Sequence, residues 1–282
     1  MTATTYLYVP GDTPARFGKA LRSGTDAVVL DLEDAVVAAR KDEARELVAR
    51  WVAACDPAGV ELWVRVNPGE LGERDIRAVA APELTGIWLP KVESALEVEE
   101  AGRVLADCGA GHARISALVE TAAGLLALPE IARAAGIRFL QLGEVDLAAD
   151  LGIEIDDSAE QLLFARSQVV TVSAAAGIEP PVAAVSVNFT DPTTFEAETR
   201  RLRRLGFAGR ACIHPRQLAP VRDVFTPTPA EVGHAEDILH RLAAAPSGVG
   251  VDARGHLIDE AVARSARRTV ARAPRPGPGS GP

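Results

Sequence analysis

The amino-acid sequence predicts an α/β fold, a (β/α)8 TIM barrel followed by a C-terminal helical arm or lid. Eight short apolar runs rich in β-branched residues each stop at a polar or charged residue, and a helix-like stretch follows each run. Apolar strands that alternate with amphipathic helices are typical of a parallel sheet covered by helices. Eight such units in roughly 230 residues agree with the usual barrel length of about 250 residues.

The elements follow one another along the chain in a regular order. We predict strands at residues 6–9, 27–32, 62–66, 86–89, 115–119, 139–142, 182–187 and 210–213. We predict the helices between and after them at residues 14–22, 36–54, 73–81, 94–105, 124–135, 158–176, 193–205 and 216–224. Because the carboxyl ends of all strands in such a barrel meet at one rim, polar residues there point to an active site.

The C-terminal part differs in composition from the barrel. Two further helices are predicted at residues 229–245 and 259–273, separated by a glycine-rich hinge at residues 247–255. We therefore place a barrel domain at residues 1–245 and an arm or lid at residues 246–273. Residues 274–282 are mostly Pro, Gly and Ser, which is typical of a disordered tail.

Composition excludes several classes of protein. The chain has 282 residues, three cysteines without a C-x-x-C pair and a formal net charge of −9 at pH 7. A general nucleic-acid binder needs a basic surface to neutralise phosphates. The longest apolar stretches are far shorter than the roughly 20 residues that span a bilayer. The N-terminus shows no signal-peptide pattern, so we expect a cytoplasmic protein with neither nucleic-acid nor membrane partners.

Two carboxylates on consecutive strands predict a metal site. Glu120 follows the fifth strand and Asp146 follows the sixth, and neighbouring strands lie about 5 Å apart. Oxygen ligands from two carboxylates suit Mg²⁺, which keeps positions for water and substrate. Alternatively, one or both carboxylates cap a helix or pair with Arg65. Glu144 either shares this site or packs outward against a neighbouring loop.

Three carboxylates follow the second strand, at Asp31, Glu33 and Asp34. Carboxylates this close repel one another unless a cation or an arginine neutralises them. Helix capping can explain one of the three, and Asp34 is the candidate for that role. The hypothesis for Glu33 and Asp34 is that they hydrogen-bond the water molecules of the metal.

Two basic residues end the third and fourth strands. Arg65 could stabilise a developing enolate or a substrate carboxylate, and it could also form an ion pair with Glu33 or Glu120. Lys91 could form a Schiff base, whereas an ion pair with Glu93 or Glu120 is the commoner role for such a lysine.

The remaining rim signals are weaker. Arg16 and Lys19 share one helix face beside a Pro-Gly loop, a pattern that suits phosphate groups but also occurs on ordinary surface helices. His214 ends the eighth strand without a second histidine at ligand spacing, which favours a packed, hydrogen-bonded histidine over a catalytic base.

Seven runs together resemble the citrate lyase β-subunit-like family, which includes malyl-CoA and citramalyl-CoA lyases within the HpcH/HpaI aldolase superfamily. They are Leu-Tyr-Val-Pro-Gly at 7–11, Ala-Val-Val-Leu-Asp-Leu-Glu-Asp-Ala-Val at 27–36, Val-Arg-Val-Asn at 64–67, Leu-Pro-Lys-Val-Glu at 89–93, Val-Glu-Thr at 119–121, Leu-Gly-Glu-Val-Asp-Leu at 142–147 and Ile-His-Pro at 213–215. The resemblance implies a TIM barrel that binds Mg²⁺ through Glu120 and Asp146. It also implies an enolate-stabilising role for Arg65 and places Glu33 and Asp34 beside the metal.

The same resemblance implies roles at the two ends of the chain. Arg16 and Lys19 match the basic residues that bind coenzyme A in the family. Asp259 is similar to an aspartate of the C-terminal arm that enters the active site of the adjacent subunit. A homo-oligomer, a trimer or a hexamer, is therefore expected.

The expected reaction is cleavage or formation of a carbon–carbon bond with Mg²⁺, or with Mn²⁺ in its place. The substrate would be a β-hydroxyacyl thioester such as malyl-, citramalyl- or citryl-CoA, and the products an acyl-CoA and a 2-oxo acid. Two alternatives stay open: a hydrolase of the same thioesters, and a citrate lyase β subunit that requires an acyl carrier.

Overall fold

The structure is a computed structural model that describes residues 3–187, 190–245 and 248–273. The chain divides into two compact units, of which the first is Ala3–Val221 and the second begins at Arg222. The first unit contains a closed barrel of eight parallel strands arranged in chain order. This topology confirms the predicted α/β barrel. Among the described residues, no helix is both long enough and apolar enough to cross a membrane.

The barrel strands are short and largely buried, as is usual for strands packed on both faces. Strands β1 to β8 span Thr5–Pro10, Ala27–Asp31, Glu61–Arg65, Gly86–Leu89, Arg114–Val119, Ile137–Leu142, Val182–Ala183 and Gly209–Cys212. All but β7 agree with the prediction to within two residues at either end. The prediction for residues 182–187 was wrong in length, because the ladder ends after two residues.

Side chains replace the missing ladder beyond β7. Arg210 on β8 donates from Nε to the carbonyl oxygen of Ala184 at 3.3 Å. Gln217 donates from Nε2 to the carbonyl oxygen of Ser186 at 2.9 Å. Backbone carbonyl groups beyond the end of a strand need other hydrogen-bond partners. Here the side chains of Arg210 and Gln217 supply them.

The helices surround the barrel and continue beyond it. Helices α1 to α12 span Phe17–Leu21, Lys41–Val52, Gly69–Val79, Ala95–Asp107, Ala122–Leu126, Leu128–Ile131, Glu144–Leu151, Leu163–Ala176, Pro192–Leu205, Leu218–Phe225, Pro229–Ala244 and Glu260–Ala271. Most of the predicted helices are present, with ends that differ by a few residues.

Two helix predictions need correction. The helix predicted at 124–135 is divided at Ala127 into α5 and α6. Pro129 lies two residues further on, in the first turn of α6. Proline has no N–H to continue the helical hydrogen bonds, so the first helix ends before it. Helix α7 was missed altogether. It buries only Leu147 and Ala148 and ends at Gly152, which adopts a left-handed conformation.

Aromatic side chains fill the interior of the barrel. Tyr6, Trp63, Trp88 and Phe139 come from strands β1, β3, β4 and β6 and are fully buried. The ring centroids of Tyr6 and Trp88 lie 5.3 Å apart, and those of Trp63 and Phe139 lie 5.2 Å apart. Side chains from strands that are not neighbours can meet only inside the barrel, so this cluster is a packed core.

The C-terminal unit has its own small core. Helices α11 and α12 pack together with an antiparallel hairpin of β9, Gly250–Val251, and β10, Leu257–Ile258. Four buried residues form the core between them: Ala235, Ile238, Ile258 and Ala266. The segment predicted as a hinge therefore contains β9, Gly250–Val251, while Ser247 lies outside the described residues. The predicted domain boundary after residue 245 follows α11 in the sequence, whereas the structure groups α11 with the C-terminal unit. The predicted tail at 274–282 also lies outside the described residues.

Candidate active site

A cavity of about 760 Å³ opens at the carboxyl ends of the barrel strands. Its walls include six of the side chains that the sequence singled out: Arg16, Lys19, Asp34, Arg65, Glu120 and Asp146. Topology brings these residues together, because the parallel strands of a barrel present their carboxyl ends at one rim. Glu33 does not line the cavity but contacts Arg65, which does.

Glu120 is the buried carboxylate of the site. It is 3% exposed, and its Oε1 accepts the backbone N–H of Lys91 at 3.0 Å. Its other oxygen packs on Gly143, where a Cβ atom would come within 2.2 Å of Oε2. Burial raises the pKa of Glu120 to about 8, and the negative charges of Glu33 and Asp146 contribute to the rise. No salt bridge neutralises this carboxylate within the described part of the chain.

Asp146 lies in the first turn of α7 and is exposed to the cavity. An acidic side chain there interacts favourably with the positive end of the helix dipole. Its companion Glu144 is not free to join it, because Glu144 forms a bidentate ion pair with Arg166. Of the two acidic residues in this segment, Asp146 is therefore the one available to a ligand.

Arg65 neutralises the acidic segment that follows β2. Its Nε and Nη2 donate to the two oxygens of Asp31 at 2.7 and 2.5 Å, and its Nη1 lies 2.7 Å from Glu33 and 3.4 Å from Asp34. The guanidinium also lies over the ring of Tyr8, 5.3 Å from its centroid. Burial alone would lower the pKa of Arg65, but the hydrogen bonds and charge of Asp31 raise it above its ordinary value.

The structure corrects the predicted capping role of Asp34. Asp31 accepts the backbone N–H groups of Glu33 and Ala35, at 2.9 and 3.2 Å, and so shapes the turn after β2. The Asp34 side chain is instead mostly exposed and lines the cavity. Asp34 is therefore available to water or ligand, whereas Asp31 is fully occupied.

Lys91 pairs with Glu33 instead of the predicted partners Glu93 or Glu120. Its Nζ lies 2.7 Å from Glu33 Oε1. Partial burial lowers the pKa of Lys91, but the bond to Glu33 outweighs that effect and raises it above the ordinary value. A Schiff base requires a neutral amine, so this environment opposes the nucleophile hypothesis. Burial in turn raises the pKa of Glu33.

Arg16 and Lys19 lie on one wall of the cavity, and both are exposed. Neither forms a salt bridge within residues 3–187, 190–245 and 248–273. Two cations without acidic partners at a cavity mouth are suited to an anionic ligand. His214 lines the same cavity, and its Nδ1 accepts the backbone N–H of Arg216 at 3.1 Å, as predicted for a hydrogen-bonded histidine.

Supporting residues behind the rim were not found from the sequence. Lys41 donates from Nζ to the carbonyl oxygens of Leu32 and Glu33, at 3.0 and 2.9 Å, and to Asn67 Oδ1 at 2.5 Å. Asn67 in turn donates from its backbone N–H and its Nδ2 to the buried Asp75. These contacts fix the backbone that carries Glu33. The pattern around Lys41 contains no local signal for them, because the contact between Lys41 and Asn67 joins two βα units and the others span the turn between a strand and the helix that follows it.

The donor set of the site fits a hard divalent cation. Among the described residues, no three His, Cys, Asp or Glu side chains form a group that could hold a metal ion. Glu120 and Asp146 would therefore supply two carboxylate ligands, with water or substrate in the other positions, an arrangement typical of Mg²⁺. Burial first, and then the negative charges of Glu33 and Asp146, raise the pKa of Glu120, and a bound cation would oppose that rise by stabilising the ionised carboxylate.

The model of the family described as HpcH/HpaI aldolase/citrate lyase matches residues 4–215 of the chain. The chain belongs to this family. The prediction from the seven sequence runs is thus confirmed at the level of family and fold. The match ends near His214, so it covers the barrel unit that contains the cavity.

Similar proteins include both lyase subunits and a thioesterase. Citrate lyase subunit beta of Leuconostoc mesenteroides is 32% identical over 278 residues, which cover 94% of this chain and 91% of that protein. A (3S)-malyl-CoA thioesterase of Cereibacter sphaeroides is 32% identical over 280 residues, which cover 95% and 93%. A crystal structure of CitE from Mycobacterium tuberculosis, in complex with magnesium, acetoacetate and coenzyme A, has a TM-score of 0.81 at 30% identity and covers 96% of this chain and 98% of that chain.

Asp259 belongs to the C-terminal unit. It is the N-cap residue of α12, where its Oδ1 accepts the backbone N–H of Val262 at 3.0 Å. The residue is partly exposed. The predicted contribution of Asp259 to the site of an adjacent subunit stays a prediction.

We expect Glu120→Ala and Asp146→Ala each to abolish Mg²⁺ binding, because these two carboxylates supply nearly all of the protein's charge at the site. Isothermal titration calorimetry on the purified variants would measure this. Glu196→Ala, which removes an exposed carboxylate of α9, is the control and should bind as the wild type does. Unchanged affinity in either cavity variant would remove that residue from the ligand set.

The pH dependence of metal binding follows from Glu120. Since the pKa of Glu120 is about 8, the carboxyl is protonated below that pH and an incoming cation must displace the proton. Apparent Mg²⁺ affinity should therefore fall by about tenfold for each pH unit below 8 and level off above it. Calorimetry in buffers of different ionisation enthalpy would count the proton released. An affinity that is constant between pH 6 and 8 would contradict this assignment.

Proposed function

We propose that the protein is a Mg²⁺-dependent carbon–carbon lyase acting on a β-hydroxyacyl-CoA thioester of the malyl-, citramalyl- or citryl-CoA type. One observation carries the proposal: a single cavity joins the carboxylates Glu120 and Asp146, the guanidinium of Arg65, and the exposed cations Arg16 and Lys19. Membership of the aldolase/citrate lyase family supports it. So does the likeness to a CitE structure that holds magnesium, acetoacetate and coenzyme A.

The substrate would be held at both of its ends. Arg16 and Lys19 attract the phosphate groups of coenzyme A to the cavity mouth, since both cations are exposed and lack acidic partners among the described residues. The acyl end then extends toward the carboxyl ends of the strands. Glu120 and Asp146 would hold the cation there, and Mn²⁺ could take the place of Mg²⁺ at such oxygen sites.

A bound Mg²⁺ supplies a Lewis acid for the oxygens of the departing 2-oxo acid. Asp34 faces the cavity and can accept hydrogen bonds from water molecules there. Glu33 reaches the same region through its ion pairs with Arg65 and Lys91, which fix its orientation. Asp34 would thus orient water, while Glu33 would add negative charge that favours a cation.

Arg65 has the donors needed to stabilise an enolate. The guanidinium carries five N–H groups. One on Nε and one on Nη2 donate to Asp31, and one on Nη1 donates to Asp34, while Nη1 also forms an ion pair with Glu33. One N–H on Nη2 remains for an oxygen of the substrate, and Arg65 lines the cavity. When the carbon–carbon bond breaks, its electron pair moves toward the thioester carbonyl, and this N–H would stabilise the negative oxygen.

Two proton transfers complete the cleavage. The substrate hydroxyl loses its proton as the 2-oxo acid forms, and the enolate carbon gains a proton to give the acyl-CoA. A carboxylate is suited to this exchange, and we assign it to Asp259 of a neighbouring subunit. The protein would then act as a homo-oligomer, a trimer or a hexamer, in which each arm completes another subunit's site.

Two alternative reactions would use the same cavity. The similarity to a (3S)-malyl-CoA thioesterase favours hydrolysis as the second candidate, and the citrate lyase subunits favour a carrier-bound thioester as the third. We expect incubation of malyl-, citramalyl- and citryl-CoA with Mg²⁺ to release a 2-oxo acid, trapped as its phenylhydrazone. A free hydroxy acid would instead establish hydrolysis. Inertness toward all three CoA esters, with turnover of the carrier-bound ester, would establish the carrier-dependent subunit.

Replacing Arg65 by Lys should leave the barrel folded and lower kcat by about 10²–10³, because lysine keeps the charge but lacks the planar fork. Arg138→Lys is the matched control. Arg138 also forms a bidentate ion pair, with Glu61, but does not line the cavity. The control should keep kcat within a few-fold of wild type. Near-normal turnover of Arg65→Lys would reduce Arg65 to a structural partner of Asp31.

Mixing inactive subunits would test the role of Asp259. We expect Asp259→Ala and Glu120→Ala each to be inactive alone. After the two are mixed under subunit exchange, part of the activity should return, because some sites would receive one intact residue from each chain. Activity that does not return, although mass photometry shows mixed oligomers, would place Asp259 outside the catalytic site.

A further inference from the structure

Helix α7 carries Asp146 but has little apolar packing of its own. It spans the eight residues Glu144–Leu151, of which only Leu147 and Ala148 are buried. Isolated helices shorter than about 12 residues are marginal in water, so tertiary contacts must hold this one. The position of Asp146 in the cavity therefore depends on what anchors α7.

The first anchor is an ion pair between α7 and α8. Arg166 donates from Nε to Glu144 Oε1 and from Nη2 to Glu144 Oε2, both at 2.7 Å. The two side chains are only 14% and 15% exposed. A bidentate pair fixes orientation as well as distance, and Glu144 stands two residues before Asp146. This pair consequently sets both the position and the rotation of the first turn of α7.

A second anchor joins α7 to the strand that bears Glu120. Asp150 Oδ2 accepts the backbone N–H of Ala122 at 2.7 Å. Ala122 begins α5, two residues after Glu120. Glu120 and Asp146, which both line the cavity, are thus connected through the backbone of α5 and the last turn of α7.

We propose that Arg166 is a positioning residue that acts through Glu144 to hold Asp146 at the spacing from Glu120 that a divalent cation requires. The inference rests on the metal site assigned to Glu120 and Asp146 in the proposed function. Arg166 itself touches no substrate or metal in this scheme. Its contribution is the fixed geometry of α7, with Asp150 as the second point of attachment.

The test measures metal binding directly, on the full-length protein. Arg166→Met keeps the length of the side chain but removes the fork, and we expect it to weaken Mg²⁺ binding by about 10- to 100-fold in calorimetry, the usual cost of losing support behind a metal ligand. Arg166→Lys, which keeps the charge alone, should bind with intermediate affinity. Arg200→Met is the control, since Arg200 pairs with Glu196 on an exposed face of α9, and its affinity should equal that of the wild type.

Thermal unfolding of each variant separates positioning from general stability. If Arg166→Met lowers the melting temperature but binds Mg²⁺ with wild-type affinity, the pair is structural only and the proposal is overturned. Tighter binding would also overturn it, because Glu144 would then be a ligand that Arg166 withholds. If Arg166→Met does not fold, Glu144→Gln provides the same measurement with side-chain volume retained. Failure of the wild type to bind Mg²⁺ would instead refute the proposed function.

Discussion

The ion pair between Arg65 and Asp31 is the interaction on which the catalytic end of the barrel depends. It joins β2 to β3 at their last paired residues, and Asp31 also accepts the N–H groups that form the following turn. Three carboxylates within four residues would otherwise repel one another. Removing one partner of such a buried pair typically costs about 3–5 kcal/mol, because the other charge is left without compensation. The position of Glu33 and Asp34 therefore depends on this guanidinium.

The carboxylates around the cavity are not equally neutralised, and this difference determines where a cation can bind. Glu33 is neutralised by Arg65 and Lys91, whereas Glu120 receives only a backbone N–H from Lys91 and forms no salt bridge among the described residues. A buried carboxylate without a cation is costly unless it is protonated or binds one. Negative charge without a salt bridge among the described residues is thus concentrated at Glu120 and Asp146, while Arg16 and Lys19, which line the same cavity, form no salt bridge in that part of the chain and can attract an anionic group.

The sequence predicted the barrel well, because buried parallel strands are continuous apolar runs and their order fixes the rim. It also identified the charged side chains that line the cavity, since polar residues at the carboxyl ends of the strands meet at that rim. The sequence did not predict which charged side chains pair with one another. Lys91 reaches Glu33, fifty-eight positions away, and the side chain that shapes the turn after β2 is Asp31, whereas Asp34 caps no helix. Helix α7 was missed because its polar first turn resembles a loop, although Gly152 marks its end. Such contacts depend on how separate βα units pack, which local patterns do not encode.

Because β7 is short, the cavity wall formed by the residues after it can change in sequence with little effect on the barrel. Ala184 and Val185 line the cavity, yet the backbone at 184–186 is tied to the barrel by the side chains of Arg210 and Gln217 and lies outside the ladder. Insertions or exchanges in this segment would leave all eight strands in register, whereas the same changes in β2 or β5 would displace charged groups. Diversification of the acyl pocket among descendants of this barrel is therefore least constrained at the seventh strand.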